Sequence, residues 1–325
     1  MDIFWAFTIL SVGVLLLWKG ADLLVTGAVS VAERFGISPL IIGLTIVAMG
    51  TSAPEVATSI AAVLKPEGGG DVALGNICGS NIANLALVGG IIALIHPMLI
   101  KKQVLLREFP VMIAGTLVLW PILADGHVSR PEASILLCLF IGILLFTIVA
   151  AMRQRAATVV LEASESHAND SSKPAPSLAD SLLRICLGLT GLIFGADLVI
   201  KGATTIGEWL GLSDAVVGIV FVAVGTSLPE LVTCVVAAAK GHHDMSIGNL
   251  VGSNVFNALL VTGCAGLASP FDVGADSPGA GTISPCWAQA SCSGESRSQA
   301  EERSAGRVDR SSCSPTSATS SIRSW

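Results

Sequence analysis

The sequence predicts an all-α membrane protein in which a five-helix unit is repeated upside down, and three observations carry that prediction. Hydrophobic residues make up 52% of the 325-residue chain and charged residues only 13%, with mean hydropathy +0.74, whereas a soluble domain carries roughly 25% charged residues. Eight stretches are apolar over about 20 residues, enough to cross a bilayer: roughly 3–31, 37–64, 72–99, 105–123, 133–151, 178–206, 212–239 and 245–268. The second half of the chain also repeats the first, residue for residue, at its most distinctive positions.

Taken in order, MDIFWAFTILSVGVLLLWKG at the start lacks a basic leader and a small-residue cleavage site, so it reads as a retained first span. Residues 1–151 hold five spans and form the first repeat. Residues 152–177, with RQRAATVVLEASESHANDSSKPAPS, read as a polar linker without an apolar period. Residues 178–268 hold three spans of a second, incomplete repeat, and 269–325 a polar tail. With the N-terminus outside, the inner loops collect Arg34, Lys101, Lys102, Arg107, Arg153, Arg155, Lys173, Arg184 and Lys240, and the outer loops only Lys65 and Arg130. Positive charge inside therefore favours an external N-terminus and an inner linker. Five spans per unit is an odd number, so the second unit must be inverted.

The eight cysteines (Cys78, Cys138, Cys186, Cys234, Cys264, Cys286, Cys292, Cys313) lack metal or disulfide-framework spacing. A net charge of -6 and the absence of a basic stripe give no support to nucleic-acid binding. No cofactor and no obligatory protein partner are implied, only the lipid bilayer.

The repeat is legible without gaps. GADLLVTGAVSVAERFGIS (20–38) matches GADLVIKGATTIGEWLGLS (195–213) at nine of nineteen positions, and GLTIVAMGTSAPEVATSIAAVLK (43–65) matches GIVFVAVGTSLPELVTCVVAAAK (218–240) at eleven of twenty-three, both at an offset of 175. DVALGNICGSNIAN (71–84) then matches DMSIGNLVGSNVFN (244–257) at seven of fourteen, two residues closer. The matched residues are mostly Gly, Pro, Glu, Asn, Ser and Thr, which carry geometry and ligands rather than hydrophobicity.

A carboxylate within a membrane span costs several kcal/mol unless a partner or ion compensates it, which makes Glu55 and Glu230 functional candidates. Pro54 removes a helical N–H and clashes with the carbonyl of Gly50, so main-chain oxygens near Ala48 to Thr51 are expected to open. Glu55 lies one turn from Thr51 and Ser52. Gly225, Thr226, Ser227, Pro229 and Glu230 repeat the arrangement. Asn76, Ser80 and Asn84 form a polar stripe on the next span, as do Asn249, Ser253 and Asn257. Gly75 and Gly79, and Gly248 and Gly252, would let these spans approach a neighbour closely. Such hard oxygens suit Ca2+, which takes 6–8 of them, better than zinc or copper. Two ionised carboxylates balance one Ca2+ or two Na+, so the ions would compete and exchange.

These duplicated GTSxPE and GSNxxN segments resemble the two alpha-repeats of the cation/calcium exchanger superfamily, specifically prokaryotic Na+/Ca2+ antiporters, over about residues 1–268. The resemblance implies a secondary transporter, not an enzyme, working by alternating access in a bacterial or archaeal cell membrane, with Ca2+ and Na+ as substrates. It implies Glu55 and Glu230 as central Ca2+ ligands, assisted by Thr51, Thr226 and the carbonyls of Ala48 and Ala223. Ser52, Ser80, Ser227 and Ser253 would line Na+ positions, and Asn84 and Asn257 would complete the ring. The spans holding Gly20 to Ala28 and Gly195 to Ala203 resemble the pair that slides across a rigid core. Some relatives carry Asp at the position of Asn257, which is associated with K+ dependence, so Asn257 points to exchange without K+.

Members of that superfamily have ten spans; here a polar sequence follows from about Ser269, expected either from a frameshift or truncation or from natural loss of two helices. An H+-coupled Ca2+ exchanger, an intramembrane hydrolase using two carboxylates, and an inactive membrane scaffold are the competing readings. His96, His127, His167, His242 and His243 sit at span ends or in loops, and Lys19 with Asp22 and Asp197 with Lys201 have the spacing of ion pairs within one helix.

Overall fold

The computed structural model describes residues 3–65, 68–95, 100–102, 104–164, 177–212 and 223–274, with side chains described outside 154–164 and 223–224. Ten helical segments follow: α1 (Ile3–Phe35), α2 (Pro39–Thr51), α3 (Ala53–Val63), α4 (Gly69–Ile95), α5 (Val104–Ile122), α6 (Arg130–Ser164), α7 (Leu178–Trp209), α8 (Ala223–Thr226), α9 (Leu228–Ala239) and α10 (His243–Ala268). Among the described residues six are long and apolar enough to span a membrane, or seven when α2 and α3, bent by 40° between them, count as one. The remaining expected span, 212–239, is seen as α8 and α9; its residues 213–222 lie outside the described residues.

Inversion is visible in the packing of α1 on α7, its counterpart in the repeat. The two run antiparallel: Gly13 meets Gly195 and Val199, Gly20 meets Gly188 and Leu192, and Gly27 meets Ser181 and Ile185. Moving each partner by 175 residues converts the Gly13–Gly195 approach into Gly20–Gly188, and Gly27–Ser181 into Ala6–Gly202, both of which occur. Glycine is required because a Cβ at Gly13, Gly20, Gly27, Gly188, Gly195 or Gly202 would lie 2.6–2.9 Å from the facing backbone. The seven-residue recurrence of these glycines keeps them on one seam of each helix. At about 1.5 Å per residue, the 33 residues of α1 exceed the ~30 Å hydrocarbon layer, so the pair must cross it at a tilt or project beyond it.

A second close seam joins α2 to α10. Gly248 faces the carbonyl of Leu40, Gly252 faces Leu44 and Ala48, and Gly43 faces Met245. The close approach expected of Gly248 and Gly252 is thus made, whereas nothing among the described residues approaches Gly75 or Gly79; the counterpart of α2's first half falls at 213–222, outside the described residues. The α5–α6 pair covers α10, with Phe140 edge-on to Phe256 at 4.8 Å between ring centroids.

Three expectations shift. Helix α6 continues to Ser164, past the boundary expected at 151, because RQRAATVVLEAS is composed largely of good helix formers; the rest of the expected linker, 165–176, is outside the described residues. The polar tail expected from Ser269 begins later. Phe271–Asp272 pairs antiparallel with His127–Val128, Phe271 is buried, and the Gly274 N–H donates to Asp71 Oδ1 at 2.8 Å. Residues 71 and 274 correspond, at an offset of 173, to 244 and 101, and Asp244 is ion-paired with Lys101. The internal repeat therefore persists to Gly274, and the remaining tail, 275–325, lies outside the described residues. Finally, Asp197 pairs with Lys201 within α7 at 2.6 Å, but Asp22 pairs with Lys240 of the other repeat instead of with Lys19.

Candidate functional site

Both Gly-Thr-Ser-x-Pro-Glu segments break their helices. Ser52 and Ser227 adopt nearly the same backbone conformation (φ -85, ψ 5 and φ -88, ψ 4), and each hands over to a new helix with proline in its first turn and glutamate directly after. Proline is tolerated there because first-turn N–H groups need no helical partner. The glutamates consequently sit at the start of α3 and α9, where the helix dipole favours a carboxylate. The break does not leave every main-chain oxygen open. The Ala48 carbonyl accepts the Ser52 N–H at 3.0 Å and lies 3.3 Å from the Thr51 hydroxyl. Ala223 opens the counterpart segment α8.

Glu55 and Glu230 are completely buried, as are Thr51, Ser52, Ser80, Asn84, Thr226, Ser227, Ser253 and Asn257 or nearly so. The two repeats interlock here. Ser52 Oγ donates to Glu230 Oε1 at 3.1 Å and Thr51 Oγ1 to Asn249 Oδ1 at 3.2 Å, while Thr226 Oγ1 donates to Asn76 Oδ1 at 3.5 Å. Ser80 Oγ lies 3.4 Å from Glu55 Oε1, to which it donates, and 3.5 Å from Thr226 Oγ1. Asn84 and Asn257 occupy matching π turns, Ala83–Val88 and Phe256–Val261, irregularities often found at functional sites.

Eight buried side-chain oxygens have no hydrogen-bond partner among the described residues: Glu55 Oε2, Glu230 Oε2, Ser227 Oγ, Ser253 Oγ, Asn84 Oδ1, Asn257 Oδ1, Asn81 Oδ1 and Thr233 Oγ1. Buried oxygens are almost always satisfied in folded proteins, and a hydrophobic setting sharpens the penalty for those that are not. Six of the eight belong to residues singled out from the sequence, and Asn81 and Thr233 do not. Oxygens of this kind are the ligands a hard cation takes. A cavity of about 410 Å³ lies elsewhere, walled by apolar residues such as Ile41, Met49 and Phe256, and holds none of this chemistry.

Sequence reasoning passed over a further layer. Asn76 Nδ2 donates to Ser59 Oγ at 2.9 Å and to the Glu55 carbonyl at 3.2 Å. In the second repeat Asn249 Nδ2 donates to Cys234 Sγ at 3.2 Å. Ser59 and Cys234 are counterparts, both buried. The signal was the i, i+4 series Thr51, Glu55, Ser59 on one helix face.

Fold and site together define a multi-pass membrane transporter of inverted-repeat type. Residues 5–149 and 181–283 match the family model described as "Sodium/calcium exchanger protein", and the chain belongs to that family. It is 39% identical to the putative antiporter CaxA of Alkalimonas amylolytica, over 79% of this chain and 78% of that protein. It is 32% identical to the sodium/calcium exchanger MaX1 of Methanosarcina acetivorans, over 82% of this chain and 84% of that protein. A solved structure of the sodium-calcium exchanger NCX_Mj, soaked with 2.5 mM Na+ and 0.1 mM Ca2+, superposes with a TM-score of 0.70 at 28% identity, over 87% of each chain. The chain is accordingly a cation/Ca2+ exchanger rather than an enzyme.

Proposed function

We propose that the protein exchanges Na+ for Ca2+ by alternating access, with both ions competing for the oxygens around Glu55 and Glu230. The buried, unpartnered oxygens of Glu55, Glu230, Ser227, Ser253, Asn84 and Asn257, drawn from both repeats, carry this reading. Glu55 and Glu230 are the central Ca2+ ligands, with Thr51, Thr226 and the Ala48 and Ala223 carbonyls assisting. Ser52, Ser80, Ser227 and Ser253 line Na+ positions, and Asn84 and Asn257 close the ring. One Ca2+ or two Na+ neutralise the two carboxylates. Without either load the site would carry two buried charges through the membrane, which is costly, so empty return is suppressed and exchange becomes obligatory.

The proposed setting is a bacterial or archaeal cell membrane with the N-terminus outside. Asn257, neutral, supports exchange without K+. Radiolabelled Ca2+ flux in proteoliposomes, with Na+, K+ and H+ gradients imposed one at a time, tests this. A Na+ gradient alone should drive Ca2+ movement, and choline in place of K+ should leave it unchanged. Flux driven by a pH gradient and indifferent to Na+ would replace Na+ with H+ as the counter-ion.

A further inference from the structure

The pseudo-symmetry that relates the repeats is broken where α1 and α7 meet the core. Helix α1 packs along α9, whereas the equivalent packing of α7 on α3 is nearly absent. Helix α7 lies instead across both breaks, with Gly50 against Leu189 and Gly225 against Ile200. The α1–α7 pair is therefore packed against the core more on α9 than on α3.

That contact is fastened by one ammonium group. Lys240, which caps α9, is ion-paired with the Asp22 carboxylate on α1, and its Nζ also donates to Thr26 Oγ1 at 2.8 Å and to the Asp22 carbonyl at 3.3 Å. All three ammonium protons thus have acceptors on α1. The side chains of Lys240 and Asp22 are only 33% and 39% exposed, enough burial for the pair to escape part of the solvent screening.

The repeat supplies the same parts on the other side, with one change. Lys240, Asp22 and Thr26 correspond to Lys65, Asp197 and Lys201. In this structure Asp197 accepts from Lys201 within its own helix at 2.6 Å, and Lys65 has no ion partner among the described residues. Where Thr26 offers Lys240 an acceptor, Lys201 offers Lys65 a second positive charge and already neutralises the aspartate. One latch is complete and its mirror image is pre-empted.

We propose that Lys240, Asp22 and Thr26 form a one-sided ionic latch that biases the exchanger toward the state in which the α9 face is closed, and that Lys201 weakens the opposing Lys65–Asp197 latch. These are positioning residues, acting on the helix pair and not on the ion. The inference rests on the alternating-access reading above, which requires the α1–α7 pair to visit both faces.

Two substitutions built on opposite logic should move the equilibrium the same way. Asp22→Asn removes the existing latch, and Lys201→Thr completes the missing one. Hydrogen exchange followed by mass spectrometry on the full-length protein in ion-free nanodiscs reads the two faces without transport. In wild type, residues 228–240 should be better protected than 53–65. Both variants should raise exchange over 228–240 and lower it over 53–65, on the order of three-fold, the size expected of a partly exposed ion pair. In vesicles of known sidedness, apparent Ca2+ affinity should shift in opposite directions on the two faces. Asp22→Lys combined with Lys240→Asp should restore the wild-type pattern.

A purely structural role would loosen both faces together, and that result, or unchanged exchange in the Lys201→Thr variant, overturns the latch. Should Asp22→Asn unfold the protein, Lys201→Thr, at an exposed position, decides the matter. If wild type shows no Ca2+ exchange in any gradient, the transport reading falls, while the hydrogen-exchange contrast still reports on the latch.

Discussion

The two copies of the site are nearly identical in sequence and differ in how they are bonded. Glu230 is held by Ser52 of the opposite repeat at 3.1 Å, whereas Glu55 is held by Ser80 of its own repeat at 3.4 Å. Ser227 and Ser253, the counterparts of Ser52 and Ser80, have hydroxyls without partners among the described residues. The helices that carry the second wall differ too: 83% of the most apolar stretch of α10 is buried, against 33% for α4, because α2, α5 and α6 enclose α10. Symmetry of sequence thus supplies equivalent oxygens, and asymmetry of packing decides which of them are hydrogen-bonded in this structure. That is the behaviour a transporter needs, since an inverted repeat in a symmetric conformation would open to both faces or to neither.

The comparison breaks most sharply at the carboxylates. If Glu55 and Glu230 share one ion, Glu55→Gln and Glu230→Gln should each weaken Ca2+ binding by at least about 100-fold, or roughly 3 kcal/mol, despite their different hydrogen bonds. Isothermal titration with Ca2+ checks this, and a variant that keeps wild-type affinity would show that its carboxylate lies outside the ion's shell. A smaller effect should come from Cys234, which takes the place of Ser59. Cys234→Ala leaves the buried Asn249 amide without its acceptor, a loss of about 1–3 kcal/mol, and should disturb Thr51 through Asn249. Cys234→Ser recreates the first repeat's arrangement and should keep Ca2+ affinity and thermal stability near wild type. Equal behaviour of the Ala and Ser variants would mean that the thiol only fills space.

Much of this was legible beforehand for physical reasons. A membrane span must satisfy its own backbone, so apolar length alone located the helices, and buried Glu, Asn and Ser in such spans are rare enough to mark a site. What escaped had no signature in either rule. The π turns at Asn84 and Asn257 contain no proline or glycine irregularity at the turn itself. The glycine seam of α1 and α7 shows as Gly13, Gly20 and Gly27 only when read at a seven-residue interval, and an apolar helix gives no reason to choose that interval over any other. Sequence proximity alone points Asp22 to Lys19, three residues away, whereas its partner Lys240 is 218 residues away. The repeat was expected to end at Ser269 because hydropathy ends there, yet Phe271 and Gly274 continue it in a segment that is not a span.

That segment yields the smallest predicted effect and the finest test of the two copies. On one face the loop after α4 is tied by the Lys101–Asp244 ion pair. On the other, the stretch after α10 is tied by the strand pair and by His127 Nδ1 to Asp272 Oδ1 at 2.6 Å. The hydrogen bond to Asp272, reinforced by the charges of Asp272, Asp125 and Glu132, holds the His127 pKa above its ordinary value. The sign follows from linkage: a raised histidine pKa contributes stability fully present below the unfolded value and lost as pH rises through the folded one. Raising pH from acidic to mildly alkaline should therefore loosen residues 269–274, seen as faster hydrogen exchange there, and leave the Lys101–Asp244 loop unchanged. In Asp272→Asn the pH response at 269–274 should shrink, because the neutral amide no longer favours the imidazolium; a response of undiminished size would assign the titration to another group.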